Sequence, residues 1–120
     1  MGHALPLAVA LFALTACEQA PTVDRMPGGN AEAGRRAISL YGCGSCHVIP
    51  GIPGARGVVG PPLTDFGRRV YIVGSLPNMP DNLVRWLRDP PAIEPNTAMP
   101  DLGVSQREAR DIAAYLYTLR

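Results

Sequence analysis

The richest chemistry in the chain lies in Cys43-Gly44-Ser45-Cys46-His47. Two thiols three residues apart fall on one helical turn, and an imidazole follows directly. This is the C-x-x-C-H spacing of covalent c-type haem attachment. Both thiols can reach the two vinyl groups along one edge of a porphyrin. His47 then brings its imidazole under the iron as the proximal ligand. A structural zinc site needs four ligands, usually two such pairs, and there is no second Cys pair. A thioredoxin-like redox pair needs a βαβ context, whereas the residues that follow form a Gly/Pro loop.

A haem bound here needs a sixth ligand or leaves an open site. The candidates are His3, Met26, Met79 and Met99. His3 falls in a leader segment, Met26 in a linker, and Met79 opens a helix with no strap around it. Met99 lies in Pro95-Asn96-Thr97-Ala98-Met99-Pro100, just before the last helix. Rigid prolines on both sides hold a thioether at a fixed height. Methionine is also a common core filler, so the loop alone leaves that alternative open.

The elements that must position these groups are helical. Asn30 is a good N-cap with Glu32 in the first turn, and Gly34, Ala37, Ile38 and Tyr41 then share one face. Ser105 and Glu108 form a capping box for the last helix, whose face is Ala109, Ile112, Ala113 and Leu116. Gly34 would let the first helix cross the last closely. A short helix is expected from Pro80 to about Arg88, stopped by Asp89-Pro90-Pro91, with Met79 as a poor cap.

Composition sets the frame. The chain has 120 residues, enough for one domain, and 13 Gly with 13 Pro, which limit regular structure. Apolar residues make up 47%, too many for a charged disordered chain, while 6% aromatics give a thin core. Such a domain needs a disulfide, a metal or a cofactor. All 11 basic side chains are Arg, and the net charge of +1 offers no broad patch for nucleic acid. Residues 25–69 carry six Arg against Glu32 and Asp65, and residues 81–111 carry four Arg against six acids. A mildly positive rim would then meet an acidic partner.

Residues 4–16 are an uncharged apolar run, too short for a bilayer-spanning helix but right for a signal peptide. The run ends Leu14-Thr15-Ala16-Cys17, which looks like a bacterial lipobox, although Met1-Gly2-His3 lacks the usual basic residue. The expected organisation is a signal peptide over 1–16, lipid on Cys17, a flexible tether over 17–29 and a domain over 30–120.

The residues about 30–120 resemble a class I cytochrome c. Leu83-Val84-Arg85-Trp86-Leu87-Arg88-Asp89-Pro90, then Pro95-x-Thr97-x-Met99, is similar in type and spacing to mitochondrial cytochrome c. Gly60-Pro61-Pro62-Leu63, Phe66-Gly67-Arg68 and Asp111-Ile112-Ala113-Ala114-Tyr115-Leu116 resemble further stretches of that family. With Gly74-Ser75-Leu76-Pro77-Asn78 added, the pattern looks closest to the cytochrome c domain fused to subunit II of some bacterial haem–copper oxidases.

The resemblance implies an all-α cytochrome c fold of three to four helices, with Gly/Pro loops wrapped around one covalent haem c. It implies thioethers at Cys43 and Cys46, axial ligands His47 and Met99, and a Pro61 carbonyl bonded to the other imidazole nitrogen. Arg68, Trp86 and Thr97 would lie near the propionates. Asn96 stands where Gly is common, which suggests a left-handed turn there. The implied role is single-electron transfer at the periplasmic face of a bacterial envelope, by a monomeric domain held by lipid. Its partners would be a haem–copper oxidase or a quinol–cytochrome c oxidoreductase. Two other readings stay open. One is a haem enzyme or ligand sensor with a displaceable Met99; the other is a non-haem redox or metal lipoprotein using Cys43, Cys46 and His47.

Overall fold

The computed structural model describes residues 1–2 and 24–120. The expected signal segment, Cys17 and most of the tether lie outside the described residues. Among those described, no helix is long and apolar enough to cross a membrane.

Among the described residues, four helices carry the fold: α1 (Ala31–Leu40), α2 (Pro80–Arg88), α3 (Pro90–Ile93) and α4 (Gln106–Leu116), with tight 3₁₀ turns at Cys43–Ser45 and Phe66–Arg68. The expected caps hold the ends of α1 and α4. The Asn30 side chain accepts from the Ala33 N–H, and Ser105 with Glu108 forms the reciprocal capping box. Met79 precedes α2 without a side-chain bond, and Pro80 supplies the helical φ instead. Asp89 does more than stop α2. Its carboxylate accepts from the Ala92 N–H and starts the extra turn α3, with Pro90 at the first helical position. A Pro-Pro pair permits this because first-turn N–H groups lack intrahelical partners.

Helix α1 crosses α4 at Gly34. A Cβ there would run into the backbone of Asp111, so only glycine allows this approach. The buried Asp111 carboxylate accepts from the Asn30 N–H at 2.8 Å, and Tyr41 donates to Glu108 at 2.7 Å. Ile38, Leu83, Ala109, Ile112, Ala113 and Leu116 fill the space between α1, α2 and α4.

The described end of the expected tether belongs to the folded unit. Met26 is 1% exposed within the core. Arg25 donates to the Gly67 and Asn78 carbonyls at 2.5 and 3.1 Å, and its guanidinium lies 4.1 Å over the Tyr117 ring. The folded unit therefore includes Arg25 and Met26, upstream of the expected start at residue 30. Burying the Met26 side chain is worth about 1.5–3 kcal/mol, and Arg25 adds charge-assisted bonds.

The long loops are pinned rather than free. Tyr115 donates to the Pro50 carbonyl at 2.6 Å, tying α4 to the 48–60 loop. Buried Asn78 bonds the Phe66 and Arg69 carbonyls and accepts from the Tyr117 hydroxyl, closing the 66–78 loop. Asp65, at φ 58°, is the non-glycine residue with left-handed backbone among those described. Asn96 is therefore not in the left-handed turn expected of it.

Candidate functional site

The helices and loops enclose one mainly apolar cavity of about 370 Å³. Its size and character suit a bound organic group. Ile38, Leu83, Trp86, Ile112 and Leu116 form its helical walls, while Leu63, Phe66 and Ile72 close it from the loops. Cys43, Cys46, His47, Thr97 and Met99 all line it. Two thiols, an imidazole and a thioether thus line one apolar space, although Met99 lies some fifty residues along the chain from the Cys43–His47 turn.

Local structure explains the placement. Gly42, at φ 71°, ends the turn after α1 and starts the 3₁₀ turn that holds Cys43. The His47 N–H then donates to the Cys43 carbonyl, so thiol and imidazole belong to one compact turn. No disulfide joins Cys43 to Cys46, and burial pushes the Cys43 thiol above its ordinary value.

The His47 ring has a fixed chemical orientation. Its Nδ1 lies 2.7 Å from the Pro61 carbonyl oxygen. A carbonyl can only accept, so Nδ1 carries the proton and Nε2 keeps its lone pair. Gly60 makes room for this, since a Cβ there would collide with the imidazole. In the strap over residues 94–100, the Met99 N–H donates to the Thr97 hydroxyl at 3.1 Å, and the Thr97 N–H to the Glu94 carbonyl at 3.0 Å. Thr97 is therefore both a lining residue and a brace for Met99, the second of which its spacing did not reveal.

Other expected residues divide. Trp86 lines the cavity and is 8% exposed. Arg68 is exposed and off the cavity; Arg69 lines it instead, donating to the Pro62 carbonyl and lying 5.4 Å from the Phe66 ring centroid. The two arginines follow a left-handed Asp65 and a 3₁₀ turn, and no spacing rule encodes which of them lines the cavity. Met79 is exposed and Met26 buried, and neither lines the cavity. The positive rim is weaker than the Arg count implies. Arg25 is clamped inside the fold, and Arg35 and Arg36 pair with Glu32.

The donor set fits covalently attached haem. Among the described residues no three of His, Cys, Asp and Glu gather as a metal-ion site, and the other His of the chain is His3. A porphyrin needs no such gathering, because it carries its own nitrogens and asks the protein only for axial ligands.

No protein-family model matches the chain. It is 34% identical over 91 residues to the cytochrome c oxidase subunit 2 of Alkalihalophilus pseudofirmus, covering 75% of this chain and 26% of that protein. It is 32% identical over 89 residues to the cytochrome c oxidase subunit 2 of Bacillus sp. strain PS3, covering 70% of this chain and 25% of the relative. The chain thus spans about a quarter of the length of the curated relatives it matches, and it is related to part of an oxidase subunit II.

Proposed function

We propose that the chain is a monohaem c-type cytochrome, with a cytochrome c fold, that carries single electrons to or from a membrane-bound respiratory partner of the haem–copper oxidase type. The observation that carries this reading is the convergence of Cys43, Cys46, His47 and Met99 on one apolar cavity. Cys43 and Cys46 would hold haem c through thioethers, with His47 and Met99 at the iron. A haem so held would supply reversible one-electron chemistry. The chain's own residues tune that chemistry. The Pro61 carbonyl orients His47 and selects the tautomer that turns Nε2 to the cavity side. The soft Met99 sulfur favours the reduced state and raises the potential. The apolar walls exclude water and disfavour added charge. We assign the domain no bond-making reaction of its own.

Similarity to two oxidase subunits supports the partner class, and the subunit in those relatives is far longer than this chain. Lipid at Cys17 would hold the domain at the periplasmic face of the envelope and raise its effective concentration there. The test is to reduce the purified full chain and add membranes that contain a cytochrome c oxidase. Oxygen-dependent, cyanide-sensitive reoxidation is expected. Reoxidation no faster than in membranes lacking the oxidase would count against the partner.

A further inference from the structure

Among the exposed apolar side chains, Leu40 at the end of α1 and Val58 in the 48–60 loop stand off the cavity, each 87% exposed. Val59 and Leu102 line the cavity, where a redox partner would meet it. Val70, Tyr71 and Met79 are 71%, 53% and 58% exposed and lie off the cavity. These three share one hairpin-like loop: the Asn78 N–H donates to the Val70 carbonyl at 2.8 Å, and Tyr71 bridges to Pro77. Ile72 and Val73 of the same loop are half-buried and line the cavity. The apolar groups on the outer side are therefore not needed by the core.

The N-terminal chain joins the domain at this loop. Arg25 clamps the Asn78 and Gly67 carbonyls, so the chain leaves the fold beside Val70 and Met79. Upstream of Asp24 lie the apolar run 4–16 and Cys17, the latter seven residues away. Seven extended residues reach roughly 25 Å. Lipid at Cys17 would keep this face close to a bilayer.

We propose that the face formed by Val70, Tyr71 and Met79 rests on the lipid bilayer at the boundary between headgroups and acyl chains. The proposal rests on the anchored reading given above. An amphipathic tyrosine ring suits that boundary. Val70 and Met79 would enter its apolar side, and the exposed Arg68 on the adjoining turn would meet anionic headgroups. Because Arg69, Ile72 and Val73 of the same stretch form a cavity wall, bilayer contact would fix the rotation of the domain. The cavity would then keep one orientation toward a membrane-embedded partner.

The test uses the full haem-loaded chain in vesicles of phosphatidylethanolamine and phosphatidylglycerol. Nitroxide probes are placed singly by Val70→Cys, Met79→Cys and, as a control, Gln106→Cys. Gln106 starts α4, whose far end leads into the Tyr117 that stacks under Arg25. All three sites are exposed, and an unchanged haem spectrum reports an intact fold. Accessibility to oxygen is compared with accessibility to a water-soluble nickel chelate. A several-fold higher oxygen-to-nickel ratio at Val70 and Met79 than at Gln106 is expected. Equal ratios in a chain that floats with the vesicles overturn the bilayer contact and leave the electron-transfer reading standing. A chain that does not float with them overturns both anchor and contact. Probes at Val70 and Met79 that stay aqueous in lipid alone, and become buried only beside a co-reconstituted oxidase, overturn the contact in favour of a protein interface.

Discussion

His47 Nδ1 lies 2.7 Å from the Pro61 carbonyl oxygen, so one strap residue decides which imidazole nitrogen is left with a free lone pair. The strap can come this close because residue 60 is glycine. A Gly60→Ala substitution would drive a Cβ into the ring. Overpacking of this kind costs about 1–3 kcal/mol. The expected result is a lower denaturation midpoint together with weakened low-spin haem absorption. A stable Gly60→Ala protein with an unaltered spectrum would show that the strap does not set His47.

Met99 is held by its own N–H on the Thr97 hydroxyl. Met99→Ala should abolish the charge-transfer band of ferric Met–haem ligation. It should also lower the reduction potential by on the order of 0.1 V or more, within the span of roughly 0.8 V that axial ligands control. Thr97→Val should weaken the same band while leaving haem attachment intact. An unchanged band in Met99→Ala would assign the sixth position to another group.

Met26 tests where the domain begins. Its side chain is fully enclosed, and Met→Ala at such a site costs about 2–5 kcal/mol. By the usual scaling, each kcal/mol lowers the melting temperature of a domain of this size by about 4–8 °C. Thermal unfolding of Met26→Ala should show that loss; a melting point equal to the parent's would return residues 24–29 to the tether.

The α1–α4 contact gives the pH dependence. The Ser105 hydroxyl and then the Tyr41 hydroxyl, both donating to Glu108, hold its carboxyl below the ordinary value near 4.5. That contribution is complete above the unfolded value and is lost as pH falls through the lowered folded one. Tyr41 is held above its ordinary value near 10.0 by the same bond to Glu108. Its contribution is complete below that value and is lost as pH rises through the raised one. Denaturation midpoints followed across pH should show a plateau between the two limbs. Glu108→Gln should flatten the acid limb and Tyr41→Phe the alkaline one. Limbs unchanged in both variants would remove this pair as their source.

What the sequence made legible was local. Asn30, Ser105 with Glu108, and Pro80 announced helix starts, because a cap acts within a few residues of itself. Cys43, Cys46 and His47 stood out as one cluster for the same reason, and the structure places them with Met99 on one cavity. Contacts between distant segments stayed hidden. Met26 sits in a stretch too short to show any period, and its burial depends on Arg25 reaching Gly67, 42 residues on. Arg69 rather than Arg68 lines the cavity, and the left-handed Asp65 just before this turn is a conformation that an Asp does not advertise. The helical turn at Pro90 was obscured by two prolines that read first as a stop.

The most direct measurement is haem retention through denaturation. The chain is made in cells that carry out cytochrome c maturation, unfolded fully and separated by mass, and haem is then detected on the polypeptide. The account predicts one haem that stays with the full chain, a weaker signal when Cys43 or Cys46 alone is changed to Ser, and none when both are changed. A pigment that leaves the unfolded chain, or a chain that never acquires one, would contradict the claim that Cys43, Cys46 and His47 build a covalent haem site.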